Sequence, residues 1–415
     1  MRTILHGDFL WSKGPEELTT QTGYLVANDG VIEDLYPVLP EKYAGHPVTE
    51  HKGAIVPAFC DLHVHASQYV ERGLGMDLLL SDWLNEYTFP QEARFADPAY
   101  AEPIYDAFID DLILHGTFAV SAFATIHRGA TSYLIRRMEE KGLYGYIGKV
   151  NMNCGAPDYL TETTAESLRE TEQFLEEFSG NRTAKPILTP RFAPTCTEEL
   201  MRGLGLLAAR YGVGLQTHLV ESRWEASAAL EGYPDCACDT EIYERAGLMD
   251  HGPVIGAHFI FPSAKDIEIL KRHNGVAVHC PDATVNIIAG IMETGTLQDR
   301  GVAVALGSDI GGGHNIGVCS QAARAVQLSK LKHFYEPENN RQIGFANAFH
   351  LLTRGGGQVF GKLGAFEPGY ILNALVLDGL HDPGIVRTPA EIAERFCYIG
   401  TPANITARYL SGKRI

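Results

Sequence analysis

From Ile55 onward the chain repeats one pattern, a short apolar run followed by a longer stretch in which apolar residues recur every three or four positions. The short runs suit buried strands and the longer stretches suit amphipathic helices. Their alternation predicts parallel strands joined by crossover helices. The expected strands are Ile55–His65, Thr117–His127, Gly145–Met152, Pro186–Phe192, Val213–Val220, Val254–Ile260, Val276–Cys280 and Val302–Leu306. Eight β/α units of this kind spell an α/β fold, a (β/α)8 TIM-type barrel. Several helices carry their own end signals: Thr163-Thr164 caps a run to Phe178, and Thr197 opens one ending near Gly212. Ser263 and Asp266 form a capping box closed by Asn274-Gly275.

Both ends of the chain read differently. Arg2–Leu10, Gly23–Ala27 and Val31–Tyr36 are strand-like, with Asn28-Asp29-Gly30 as a hairpin turn. Strand character returns after Phe366 in Ala374–Asp378, Glu394–Tyr398 and Ile405–Leu410. We therefore expect a discontinuous small β-sandwich satellite domain from residues 1–54 and 367–415, beside a barrel over 55–366.

With 415 residues, 45% of them hydrophobic, the chain can bury one large core and a smaller satellite. A formal charge of −17 repels phosphate, which argues against nucleic acid and anionic membranes as partners and for a small molecule. The opening Met1–Asp8 has polar breaks where a signal peptide needs an apolar run, and no stretch reaches membrane-spanning length, so a soluble cytoplasmic protein is expected. The eight cysteines are scattered, and Cys236 and Cys238 have the wrong spacing for a zinc knuckle, so all are read as reduced thiols.

The chemistry gathers where barrel active sites lie, at the C-terminal ends of strands. The first strand closes in His63-Val64-His65, whose period of two turns both imidazoles to one side. A lone His-x-His is as often a pair of core histidines. Here, however, the fifth strand ends in His218 with Glu221 three residues on, the sixth in His258 and the eighth in Asp309. Three imidazoles and a carboxylate suit zinc or ferrous iron, with a position left for a water whose pKa the ion lowers.

On these residues the chain resembles the amidohydrolase superfamily. Longer matches are similar to one family within it, the guanine deaminases: Asp61–Tyr69, Leu80–Pro90, Ala122–His127, Thr189–Phe192 and Leu306–Asp309. The resemblance implies His63, His65, His218 and Asp309 as ligands of one zinc per chain, with iron as the alternative. It further implies Glu221 as proton carrier, with His258 and Asp309 acting on the attacking oxygen. Gln68, Arg191 and Phe192 would contact the substrate through an amide, a guanidinium and a ring. The implied activity is hydrolytic deamination of guanine to xanthine and ammonia by a homodimer. The alternatives are another amino-oxo heterocycle such as a pterin, or a cyclic amide. Two-metal hydrolases of the superfamily use a lysine on the fourth strand, and Thr189–Phe192 offers none. The deaminase design with Pro-Cys-x-x-Cys is absent as well. Departures from the family pattern fall at Asp282 and at Thr401-Pro402-Ala403, segments expected to shape the pocket or a dimer.

Overall fold

A computed structural model describes residues 1–78, 80–338 and 340–415. The chain opens with β1 (Arg2–Gly14), β2 (Glu17–Asn28), β3 (Val31–Tyr36) and β4 (Thr49–Pro57). The tight turn between β2 and β3 works because Asp29 and Gly30 both take positive φ, 47° and 81°. A side chain at Gly30 would also meet the Ser411 carbonyl oxygen at 2.6 Å. Then follow β5 (Phe59–His65), β6 (Thr117–Phe123), β7 (Tyr144–Gly148), β8 (Val150–Asn151), β9 (Ala184–Pro186) and β10 (Thr189–Pro190). The remaining strands are β11 (Leu215–Leu219), β12 (Val254–His258), β13 (Val276–His279), β14 (Ala303–Leu306), β15 (Ala374–Leu377), β16 (Ile405–Leu410) and β17 (Lys413–Arg414).

The fold is mixed α/β. Two parallel four-stranded sheets, ordered β5-β6-β7-β9 and β11-β12-β13-β14, carry helices between their strands. The expected barrel is not present as one continuous ladder. Pro186 and Pro190 interrupt the fourth strand, which survives as two short pieces because proline cannot donate to a ladder. Backbone bonds nonetheless link the sheets: Gln216 N–H donates to Leu188 O at 3.0 Å, and at the other side Asp309 N–H donates to His63 O at 2.8 Å.

The termini form one seven-stranded sheet, β17-β16-β15-β4-β1-β2-β3, and residues from both ends of that order, Ile32 and Leu25 with Val376 and Ala407, share one core. Two expectations are corrected here. The run Ile55–His65 is not one strand: Ile55–Pro57 pairs with Ala374–Val376 in the terminal sheet, and β5 starts afresh at Phe59. The break falls at Ala58, whose N–H turns to Asn373 O. The segment Glu394–Tyr398 is not a strand but lies in a helix, Pro389–Ile399. Thr388 and Glu391 close a capping box on it, Pro389 opens its first turn, and Ile392 and Phe396 are buried on one face. The helices after Thr163, Thr197 and Ser263 start as their caps dictate. Among the described residues no helix is long and apolar enough to cross a membrane.

Candidate functional site

Four strand ends meet at one point. His63 and His65 close β5, His218 sits in β11, His258 ends β12, and Asp309 follows β14; all five are buried. His63 Nε2 and His65 Nε2 lie 3.1 and 3.4 Å from Asp309 Oδ1. His65 Nε2 is 3.1 Å from His218 Nε2, and His258 Nε2 is 3.7 Å from Asp309 Oδ2. One ligand-capable atom from each of His63, His218, His258 and Asp309 falls within 4.8 Å of the other three. Three of the residues expected as ligands, His63, His218 and Asp309, thus fall in one group with His258, and His65 lies beside it against Asp309 and His218.

This donor set fits one cation. His218 Nδ1 is 2.7 Å from Arg191 O, which takes its proton and leaves Nε2 as a lone pair aimed at the cluster. Burial and then the neighbouring imidazoles hold His65 and His218 well below the ordinary histidine range, so both are neutral bases. Among the described residues His63 Nε2 and both ring nitrogens of His258 are buried without a hydrogen-bond partner. Lone pairs crowded at this distance need a positive centre between them.

The backbone holds the constellation under strain. Asp309, His258, Phe259 and Val220 all take positive φ, between 45° and 73°. For a β-branched residue such as Val220 this is costly, about 1–3 kcal/mol, and persists only where the surroundings enforce it. Asp239 Oδ2 does so by accepting Val220 N–H at 3.1 Å. The next residue, Glu221, is thereby swung to within 3.5 Å of His258 Nε2. Burial, reinforced by the Asp309 charge, pushes the Glu221 carboxyl up to about 8. Beneath the cluster Asp61 accepts Ser308 N–H at 2.9 Å and Ser308 Oγ–H at 2.5 Å, tying β5 to the end of β14. Sequence reasoning gave no role to Asp61 or Asp239, because each acts on backbone brought close only by the fold.

Above the cluster opens a cavity of about 60 Å³, lined by Gln68, Phe89, Arg191, Phe192 and Trp224 among others. Gln68 and Arg191 are 2% and 4% exposed. The Phe192 ring lies 6.3 Å from that of His218 and 6.5 Å from that of Trp224. The three expected substrate contacts therefore share one wall. Asp282, by contrast, turns away: Gln321 Nε2 and Arg324 Nε donate to it at 2.8 and 3.0 Å. The departure there braces a helix instead of shaping the cavity. Thr401–Asn404 caps its own short turn beside Asp378.

Residues 54–415 match the amidohydrolase family. The guanine deaminase of Dictyostelium discoideum is 32% identical over 87% of this chain and 82% of its own length. The human guanine deaminase is 30% identical over 88% of this chain and 83% of its own. The crystal structure of guanine deaminase from C. acetobutylicum, with guanine bound in the active site, superposes with a TM-score of 0.97 at 38% identity and covers both chains completely. The chain belongs to the amidohydrolase family, with guanine deaminases as its relatives over most of its length.

Proposed function

We propose that the chain hydrolytically deaminates guanine to xanthine and ammonia. The observation that carries this reading is the donor-only wall: Arg191 and Gln68 Nε2 present N–H groups in a buried cavity beside the histidine cluster and Glu221. A ring edge bearing a carbonyl and a ring nitrogen matches it. His63, His65, His218 and Asp309 would hold one divalent cation, zinc before iron, and that ion would supply Lewis acidity and a water acidified towards neutrality. Glu221 accepts a proton from the attacking water and returns it to the ring nitrogen next to the amine-bearing carbon. The hydroxyl now on that carbon passes its remaining proton through Glu221 to the amine, and as the carbonyl forms the carbon–nitrogen bond breaks and ammonia leaves. His258, facing Glu221 across 3.5 Å, hydrogen-bonds the incoming oxygen, and Phe192 stacks on the ring.

This reading includes the architecture. The two parallel sheets act as halves of a (β/α)8 barrel, and the terminal sheet forms a satellite domain, with the boundary moved from residue 54 to Ala58 by the pairing of β4. It also includes a cytoplasmic homodimer, which light scattering on the purified protein tests. For the chemistry, the wild type and Arg191→Ala are assayed for ammonia release from guanine, adenine and a 2-amino-4-oxo pterin. Adenine places an amine donor where guanine has its carbonyl, and discrimination on the order of 10⁴ to 10⁵ in kcat/KM is expected from such a site. Inert guanine with efficient turnover of the pterin rejects the purine and keeps the deaminase.

A further inference from the structure

Glu92 stands behind the cavity wall and is 2% exposed, yet both side chains that offer donors to the cavity end on it. One carboxylate oxygen accepts from Gln68 Nε2 at 2.8 Å and the other from Arg191 Nη1 at 2.7 Å. At the far end of the Gln68 amide, Oε1 accepts Gly311 N–H at 3.0 Å. An amide has donors at one end and an acceptor at the other, so these two partners of opposite polarity permit only one orientation. In that orientation Nε2 carries a second N–H beyond the one given to Glu92. Among the described residues Arg191 is bound through Nη1 alone and likewise keeps donors beyond that bond.

We infer that Glu92 is a positioning residue that sets the hydrogen-bond polarity of the cavity: its two oxygens hold Gln68 and Arg191 so that both offer donors, which selects a ring edge made of acceptors. The inference rests on the reading that the cavity takes an amino-oxo ring. Three separate pieces of chain meet at this carboxylate: the turn after β5, the short helix Phe89–Ala93, and the residue after β10. Arg191 also packs 5.6 Å from the Phe89 ring, so a counter-charge is needed where water is excluded. A glutamine at position 92 would place an amide nitrogen against one of two donors. The nearest relief is rotation of the Gln68 amide, which costs the Gly311 bond and turns Oε1 away from it. The cavity would then meet the ring with mixed polarity.

The metal-loaded wild type, Glu92→Gln and Glu92→Asp are compared by kcat and KM for guanine, by the inhibition constant of 2,6-diaminopurine, by metal content and by melting temperature. 2,6-Diaminopurine differs from guanine at the carbonyl edge and reports polarity whether or not it is turned over. For Glu92→Gln, kcat/KM for guanine should fall roughly 100-fold, mostly through KM, because one charge-assisted bond is lost and one donor is left unpaired. The preference for guanine over the diamino ring should fall at least about tenfold, with metal content unchanged. Glu92→Asp keeps two acceptor oxygens on a shorter arm and should show a smaller fall in the same preference. An unchanged preference in either folded variant overturns the role, and so does a fall in kcat with KM and preference intact. Should Glu92→Gln not fold, Glu92→Asp alone decides. A wild type inert on guanine rejects the substrate reading itself, whereas an active wild type with unaltered variants rejects only Glu92.

Discussion

At the level of single residues, the site depends on protons being held in fixed places. His218 can present Nε2 to a cation only because Arg191 O takes the Nδ1 proton at 2.7 Å. His218→Ala removes a lone pair from the centre of the cluster, and we expect loss of both bound metal and turnover; elemental analysis and ammonia release check this, and turnover in a metal-free variant rejects the assignment. Glu221→Gln keeps the shape but cannot move a proton. It should retain metal and substrate affinity while kcat falls roughly 10²- to 10⁴-fold. A loss below about tenfold would make Glu221 structural. The clustering of His63, His65 and His218 with Glu221 was legible in the sequence because each ends an apolar run, where a barrel puts its chemistry. Glu92, Asp61 and Asp239 were not. Glu92 reaches Arg191 across 99 positions and Asp61 reaches Ser308 across 247, separations that no local pattern encodes.

The elements show where local signals suffice and where tertiary context wins. β3 and β16 run as the apolar alternation implies, and the helix from Thr164 to Phe178 begins and ends where its cap and its apolar spacing place it. The misreadings have physical causes. Ile55–His65 is apolar throughout, so nothing in its period marks the passage from one sheet to another at Ala58; the mark is proline at 57, which ends the donors β4 can offer. Glu394–Tyr398 looks strand-like only when severed from Thr388-Pro389-Ala390-Glu391, a helix start of Ser/Thr-x-x-Glu type. If that box anchors the helix, Thr388→Ala should lower stability by about 1 kcal/mol, seen as a reduced melting temperature with unchanged KM. Phe396, 5.9 Å from the Phe59 ring at the root of β5, ties the same helix to the strand that carries His63 and His65. Phe396→Ala should therefore cost about 3–5 kcal/mol by opening a cavity there. A thermal shift no larger than that of Thr388→Ala would show the helix to be loosely held.

For the whole molecule, the α/β class and the meeting of both termini in one small sheet were legible because strand and helix patterns are properties of the chain, whereas the register joining β15 to β4, between residues more than 300 positions apart, was not. Global stability carries its own signature of buried charge. Glu71, buried in the turn after β5, accepts from Thr88 Oγ1 at 3.0 Å, while its other oxygen has no partner among the described residues. Burial first, and the nearby Glu92 carboxylate second, push its carboxyl up to about 8 from an ordinary 4.5, with Thr88 and the Arg191 charge acting the other way. Between those values the folded chain holds a proton that the unfolded chain has released. Stability must then fall as pH rises through this window, by at most about 1.4 kcal/mol per pH unit from this group. Glu71→Gln keeps the acceptor for Thr88 and removes the titration. The melting temperature of Glu71→Gln relative to wild type should therefore climb steadily from pH 5 to pH 8, all other groups being common to both proteins. A gap that stays constant or narrows over that range would mean that Glu71 is ionised in the folded chain, and that Arg191 neutralises two carboxylates instead of one.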